Sequence, residues 1–238
     1  PSDLSSVQKY HNPAQYFERL FQPGDESIPD IINQKKPILN LIIHNAFFIS
    51  DPIWNALGDR CLYVDVVRHP LYMVRQQQLN MQNLIEDVRD FIIYYELEGK
   101  TYPYWAKGWE DLFDKSSDIE QSIHFIDQMT RRVEKAKKVL FKKYKADILT
   151  IPFESFVLNP EPWVEKIANL LDTNITDSTR KVMAQQNVPR KKIADGIDLD
   201  IYKRCGWVPP LDVANEREEL LVRRQDFTNE AGKETMLT

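Results

Sequence analysis

Apolar positions along the chain change period several times, and each change marks an expected element. Ile38 to Ile43 and Leu62 to Val67 are short, β-rich apolar runs, the pattern of strands covered on both faces in a parallel sheet. The first stops at His44 and the second at Arg68. Between them, Ser50-Asp-Pro52 supplies helix-start chemistry for a short helix through Leu57, and Gly58 ends it. After Arg68, Pro70 suits a first helical turn, and Leu71 to Leu84 continues with helical content.

A longer period takes over later. Ile119, Ile123, Ile126, Met129, Val133, Ala136 and Leu140 recur at three- and four-residue steps, which predicts a long helix over 119–144 with a charged opposite face. The basic residues from Arg131 to Lys143 spread around that helix and read as a solvated face rather than a polyanion site. Ala146 to Phe153 predicts a third strand, with 154–158 continuing from it. Asn159 as N-cap and Pro160 at the first position then open a helix whose buried stripe is Trp163, Ile167, Leu170 and Leu171. Asp177 caps another helix through about Gln186, and a charged helix near 214–224 precedes a polar tail.

Two stretches carry weaker patterns. Residues 1 to about 35 are broken by Pro13, Pro23, Gly24 and Pro29, so a short helix over 14–21 is expected within irregular connection. Asp87 to Leu97 is expected to be helical, with Glu98-Gly-Lys100 as a turn. Tyr102, Tyr104, Trp105 and Trp109 follow closely. They read first as a loop folded over the core, and second as the wall of an acceptor pocket, because aromatic faces suit sugar rings.

With 238 residues, the chain can bury one sizeable core, and a single domain is expected over 1–238, with its core in 36–190. The formal charge of −5 implies no global attraction to nucleic acid or an anionic membrane. No run approaches the roughly 18 to 20 apolar residues of a membrane span. Cys61 and Cys205 are too few for a disulfide framework or a zinc site, and no metal ligand set is visible.

The candidate chemistry sits at strand ends. In an open α/β sheet, ligands bind outside the carboxyl ends of the strands, so His44 and Arg68 are candidates for one site. Arg68 would lie beside a helix N-terminus, where free N–H groups and the dipole favour an anion. The plainer readings are a structural histidine at 44, an arginine at 68 paired with a carboxylate, and a loop residue at His69.

Three segments together resemble the sulfotransferases that use 3′-phosphoadenosine 5′-phosphosulfate (PAPS). Tyr63-Val-Asp-Val-Val-Arg-His-Pro70 is similar to that family's 3′-phosphate-binding strand and helix. Leu41-Ile-Ile-His-Asn45 is similar to the strand that carries the catalytic histidine. Residues 148–160 and the helix after them resemble its late strand and "Tyr-Glu-Asp…Asn-Pro" turn. Order and spacing agree over about 36–80 and 146–190. The resemblance implies an α/β fold with a mostly parallel central sheet flanked by helices, like P-loop nucleotide hydrolases. It implies sulfuryl transfer to an acceptor hydroxyl or amine, with PAPS as co-substrate and no metal. His44 would be the base, and Arg68, Gln76 and Phe153 would hold the nucleotide. A later basic loop would join them, either Arg190-Lys191-Lys192, which is preferred, or Lys203-Arg-Cys-Gly206.

The departures are specific. The family's 5′-phosphosulfate loop, rich in glycine, serine and threonine, is not found in these residues, so an N-terminally incomplete chain is expected. Gln76 stands where serine is usual, although its amide can still donate to a phosphate oxygen. Phe153 stands where tyrosine is common. A small-molecule acceptor is expected, with a lean to a glycan from the aromatic segment. A P-loop kinase and a non-catalytic scaffold with a degenerate fold are the alternatives.

Overall fold

The computed structural model describes residues 14, 18, 21, 26–35, 38, 47, 50–84, 94–193, 208, 210 and 212–237. The chain falls into two compact units, 1–44 and 45–238. In the first, Ala14, Glu18 and Phe21 are helical, and Ile28–Lys35 forms helix α1 where irregular connection is expected. The expected strand over 38–44 lies outside the described residues except Ile38, which is exposed.

The second unit is a mixed α/β assembly, mostly helical. Its elements are α2 (Asp51–Leu57), β1 (Tyr63–Val67), α3 (Pro70–Leu84), β2 (Tyr94–Leu97), β3 (Lys100–Pro103), α4 (Glu110–Lys115), α5 (Asp118–Tyr144), β4 (Ile148–Pro152), α6 (Phe153–Leu158), α7 (Glu161–Leu170), α8 (Asp177–Gln185) and α9 (Glu216–Thr235). Among the described residues the parallel sheet has two strands, β1 beside β4, in the register Tyr63↔Ile148 to Val67↔Pro152. Val64 and Val66 are 37% and 59% exposed, so the expectation of a strand covered on both faces is corrected for β1.

Helix α5 is the axis of this unit. Its start is fixed by a capping box in which the Ser117 backbone N–H donates to Glu120 Oε2 at 2.8 Å. Its apolar stripe meets three layers in turn. Near its middle, Met129 packs with Tyr102, Trp105 and Trp109. Ile119 and Ile126 pack with Val74 of α3 and with Phe227 and Ala231 of α9. At its far end, Leu140 joins Phe47, Trp54 and Ala146 under Tyr63 and Ile148 of the sheet. The basic run on α5 is largely spoken for: Lys137 pairs with Asp65 of β1 at 2.6 Å, and Arg131 with Asp127 at 2.8 Å.

Three sequence expectations are corrected here. Tyr94–Leu97 is the first strand of a hairpin and not the end of a helix. Leu97 pairs with Lys100, leaving the two-residue loop Glu98-Gly99, and both loop residues have positive φ (52° and 78°). That turn matches the twist of the flanking strands, and the β-rich Tyr-Tyr pair prefers it. Second, 153–158 turns into α6 instead of extending β4. Third, the tail is helical, because α9 has an apolar side (Phe227, Ala231) that seats against α3 and α5. The aromatic segment takes the first of its two readings: Tyr102, Trp105 and Trp109 are buried, and Trp109 Nε1 donates to the Trp105 carbonyl at 2.9 Å.

A pH-dependent term is built into α5. His124 is buried with its ring edge-on to Trp109. Burial holds its imidazole below the ordinary 6.5, against the opposing pull of Glu120 and Asp127. Below pH 6.5 the unfolded chain therefore takes up this proton before the folded one does, and stability falls as the pH drops through that range. Urea unfolding at pH 7.5 and 5.5 should show a smaller acid loss for His124→Gln than for the wild type; equal losses would refute the assignment.

Candidate functional site

The register of the parallel pair sets the site. Val67 lies opposite Pro152, so the next residues, Arg68 and Phe153, leave the sheet side by side at its carboxyl end. The Arg68 guanidinium carbon stands 5.0 Å from the centroid of the Phe153 ring. A second guanidinium reaches the same ring from far along the chain, with Arg190 Cζ 5.7 Å from the centroid. Each such contact is worth about 0.5–2 kcal/mol depending on desolvation.

Local structure explains why both arginines arrive there. Phe153 and Glu154 open α6, and Glu154 is buried. Its Oε1 accepts a hydrogen bond from the His69 backbone N–H at 3.1 Å and lies 3.7 Å from Arg68 Nε. One carboxylate thus ties the end of β4 to the end of β1. Arg190 is held by its backbone N–H, which donates to the Val157 carbonyl of α6 at 2.7 Å, and by its Nη1, which donates to the Ile193 carbonyl at 3.0 Å. Ile193 is buried and pins the basic loop.

Arg68 Nε and Arg190 Nε are both buried, and neither has a hydrogen-bond acceptor among the described residues. Burying a polar group without a partner costs free energy. Two like charges on one ring, with Glu154 as the counter-ion beside them, leave one cation more than anions. An anion between the guanidiniums would relieve both costs. Guanidinium groups suit phosphate and sulfate because their fixed fork offers paired donors.

Of the residues singled out from the sequence, the structure brings together Arg68, Phe153 and Arg190. Lys191 is exposed beside them. Gln76 does not point to this group by any contact: its amide donates along α3 to Asn80 Oδ1 at 3.4 Å. His44 lies outside the described residues, as do Lys203 to Gly206. Arg75, the neighbour of Gln76, is directed away; it is buried against the Phe227 ring at 5.1 Å and pairs with Glu230 of α9. His69 serves the start of α3, its Nδ1 accepting from the Leu71 N–H at 3.2 Å. Glu154 was not among the residues expected to act; its place directly after a strand and a phenylalanine was the available signal.

Among the described residues no helix is long and apolar enough to cross a membrane, and no cluster of potential metal ligands occurs. No family model, curated protein or solved structure matches the chain.

Proposed function

We propose that this protein transfers a sulfuryl group from PAPS to a hydroxyl or amine of a small acceptor, on a P-loop-like α/β scaffold. The observation that carries the reading is the convergence of Arg68 and Arg190 on the Phe153 ring at the carboxyl ends of two parallel strands. A planar purine and a 3′-phosphate are the kind of ligand that an aromatic ring with two guanidiniums beside it can hold. The orphaned Nε donors fit the same ligand.

In this reading the acceptor oxygen forms a bond to sulfur as the bond between sulfur and the leaving phosphate oxygen breaks. The acceptor's proton passes to a base. His44 is the proposed base, because imidazole titrates near neutral pH. Arg68, Arg190 and Phe153 hold the nucleotide in position without taking part in bond cleavage, and Glu154 orients Arg68. Lys191 adds positive charge at the rim. Gln76 would have to leave Asn80 to reach a phosphate. The burial of Tyr102, Trp105 and Trp109 removes the basis for favouring a glycan.

Calorimetric titration with 3′-phosphoadenosine 5′-phosphate tests the reading. Arg68→Ala should weaken binding roughly 10- to 100-fold, the worth of one or two charge-assisted hydrogen bonds. Arg68→Lys should recover only part of it, since an ammonium keeps the charge and loses the fork. If the wild type fails to bind, the nucleotide reading falls, and the Arg68–Glu154 pair is then a structural clamp.

A further inference from the structure

A recess of about 370 Å³ opens between the start of α3 and the first half of α9. It begins at His69, the residue next to Arg68, and its apolar lining is Leu71 with Leu220 and Leu221. Arg217 and Arg224 also line it. They are seven residues apart on α9, so they share one helix face with the two leucines between them. Neither guanidinium has an ion-pair partner among the described residues. Glu216 is the acidic residue of the lining, so cations outnumber anions there as well.

The two helices run alongside each other in the same sense. Tyr72 meets Arg223, and one turn on Arg75 meets Phe227 and Glu230. His69 therefore lies toward the Glu216–Arg217 end of the recess, and Arg224 about 10 Å further along α9. The layout is an apolar trough with one end beside the nucleotide group and an unpaired cation at the other.

We propose that this recess binds the acceptor, and that the acceptor is an alcohol or amine whose apolar body carries an anionic group at its far end. The reacting end of this assignment rests on the sulfuryl-transfer reading; the affinity for an amphiphilic anion does not. The apolar body lies on Leu71, Leu220 and Leu221, where removing its methylenes from water favours binding. The anionic group meets Arg224, and the reacting group points to the Arg217 and His69 end.

Calorimetry without nucleotide separates the two parts. Octanoate, octan-1-ol and octylammonium are titrated into the full chain. Octanoate should bind about tenfold or more tighter than octylammonium. The double variant Arg217→Gln/Arg224→Gln, at positions exposed on α9, should abolish that preference while leaving octan-1-ol unchanged. Leu221→Ser should weaken octanoate and octan-1-ol alike. Equal binding of octanoate and octylammonium, or a preference that survives the double variant, would overturn the proposal. Sedimentation with phosphatidylglycerol vesicles in the absence of octanoate binding would also overturn it, making this face a contact for a lipid surface. If octanoate binds and 3′-phosphoadenosine 5′-phosphate does not, the recess stands as an anion site and the sulfuryl-transfer reading falls. If only the nucleotide binds, the reverse holds.

Discussion

Arg223→Leu is expected to destabilise the protein by about 3–5 kcal/mol, the usual cost of stranding one member of a buried ion pair. Arg223 is 3% exposed and Glu219, its partner one turn earlier on α9, is 7% exposed. The guanidinium Nε and Nη2 both meet Glu219 Oε1 at 2.8 Å, and its carbon stands 4.6 Å from the centroid of the Tyr72 ring. Removing the arginine leaves a carboxylate in a nearly dry layer between α3 and α9. For a unit of this size the melting temperature should fall on the order of 10 °C. The double variant Glu219→Leu/Arg223→Leu should recover most of the loss, because it removes both charges and leaves apolar volume. Urea unfolding of the two variants decides the matter: a single variant as stable as the wild type would show that the pair contributes nothing.

The second large effect is on turnover. On the proposed sulfuryl-transfer reading, His44→Ala should lower it by about 10²–10⁴-fold, the usual contribution of a positioned general base, with little change in affinity for 3′-phosphoadenosine 5′-phosphate. The split matters, because a structural role for His44 would move affinity, stability and turnover together. PAPS consumption against a panel of alcohols measures the rate, and calorimetry measures the affinity. Turnover near the wild-type rate would transfer the role to a carboxylate. Glu154 would then be the first to test, since it stands at the carboxyl ends of β1 and β4 beside Arg68, although it is already engaged with Arg68 and the His69 N–H.

What could be read in advance follows the range of the forces involved. The long amphipathic helix was legible because its apolar residues repeat over many turns, and the structure has it at Asp118–Tyr144. The strand–Arg–x–Pro–helix passage was legible because proline and a β-rich run are strong local signals, and β1 and α3 follow it. The hairpin at 94–103 was misread because its strands are only four residues long each. Over such a length helix and strand patterns overlap, and only the Glu98-Gly99 turn separates them. The end of the chain was misread for another reason. Phe227 and Ala231 are two apolar residues in a polar stretch, and their burial depends on α3 and α5 being in place.

The candidate site shows the same division. The amino-acid order alone put an arginine at the end of one strand, because residue type and strand boundary are local properties, whereas Phe153 and the late basic loop with Arg190 were singled out by the family resemblance. That Arg68 and Arg190 both reach the Phe153 ring was decided by the parallel register of β1 and β4 and by the hydrogen bond from the Arg190 N–H to α6. Those contacts join residues that the chain itself keeps far apart, and no pattern within one segment encodes their distance. Glu154 and the Arg217–Arg224 recess belong wholly to the tertiary structure. Their chemistry comes from what packing places opposite them: a second strand end for the carboxylate, and the first turn of α3 for the helix face.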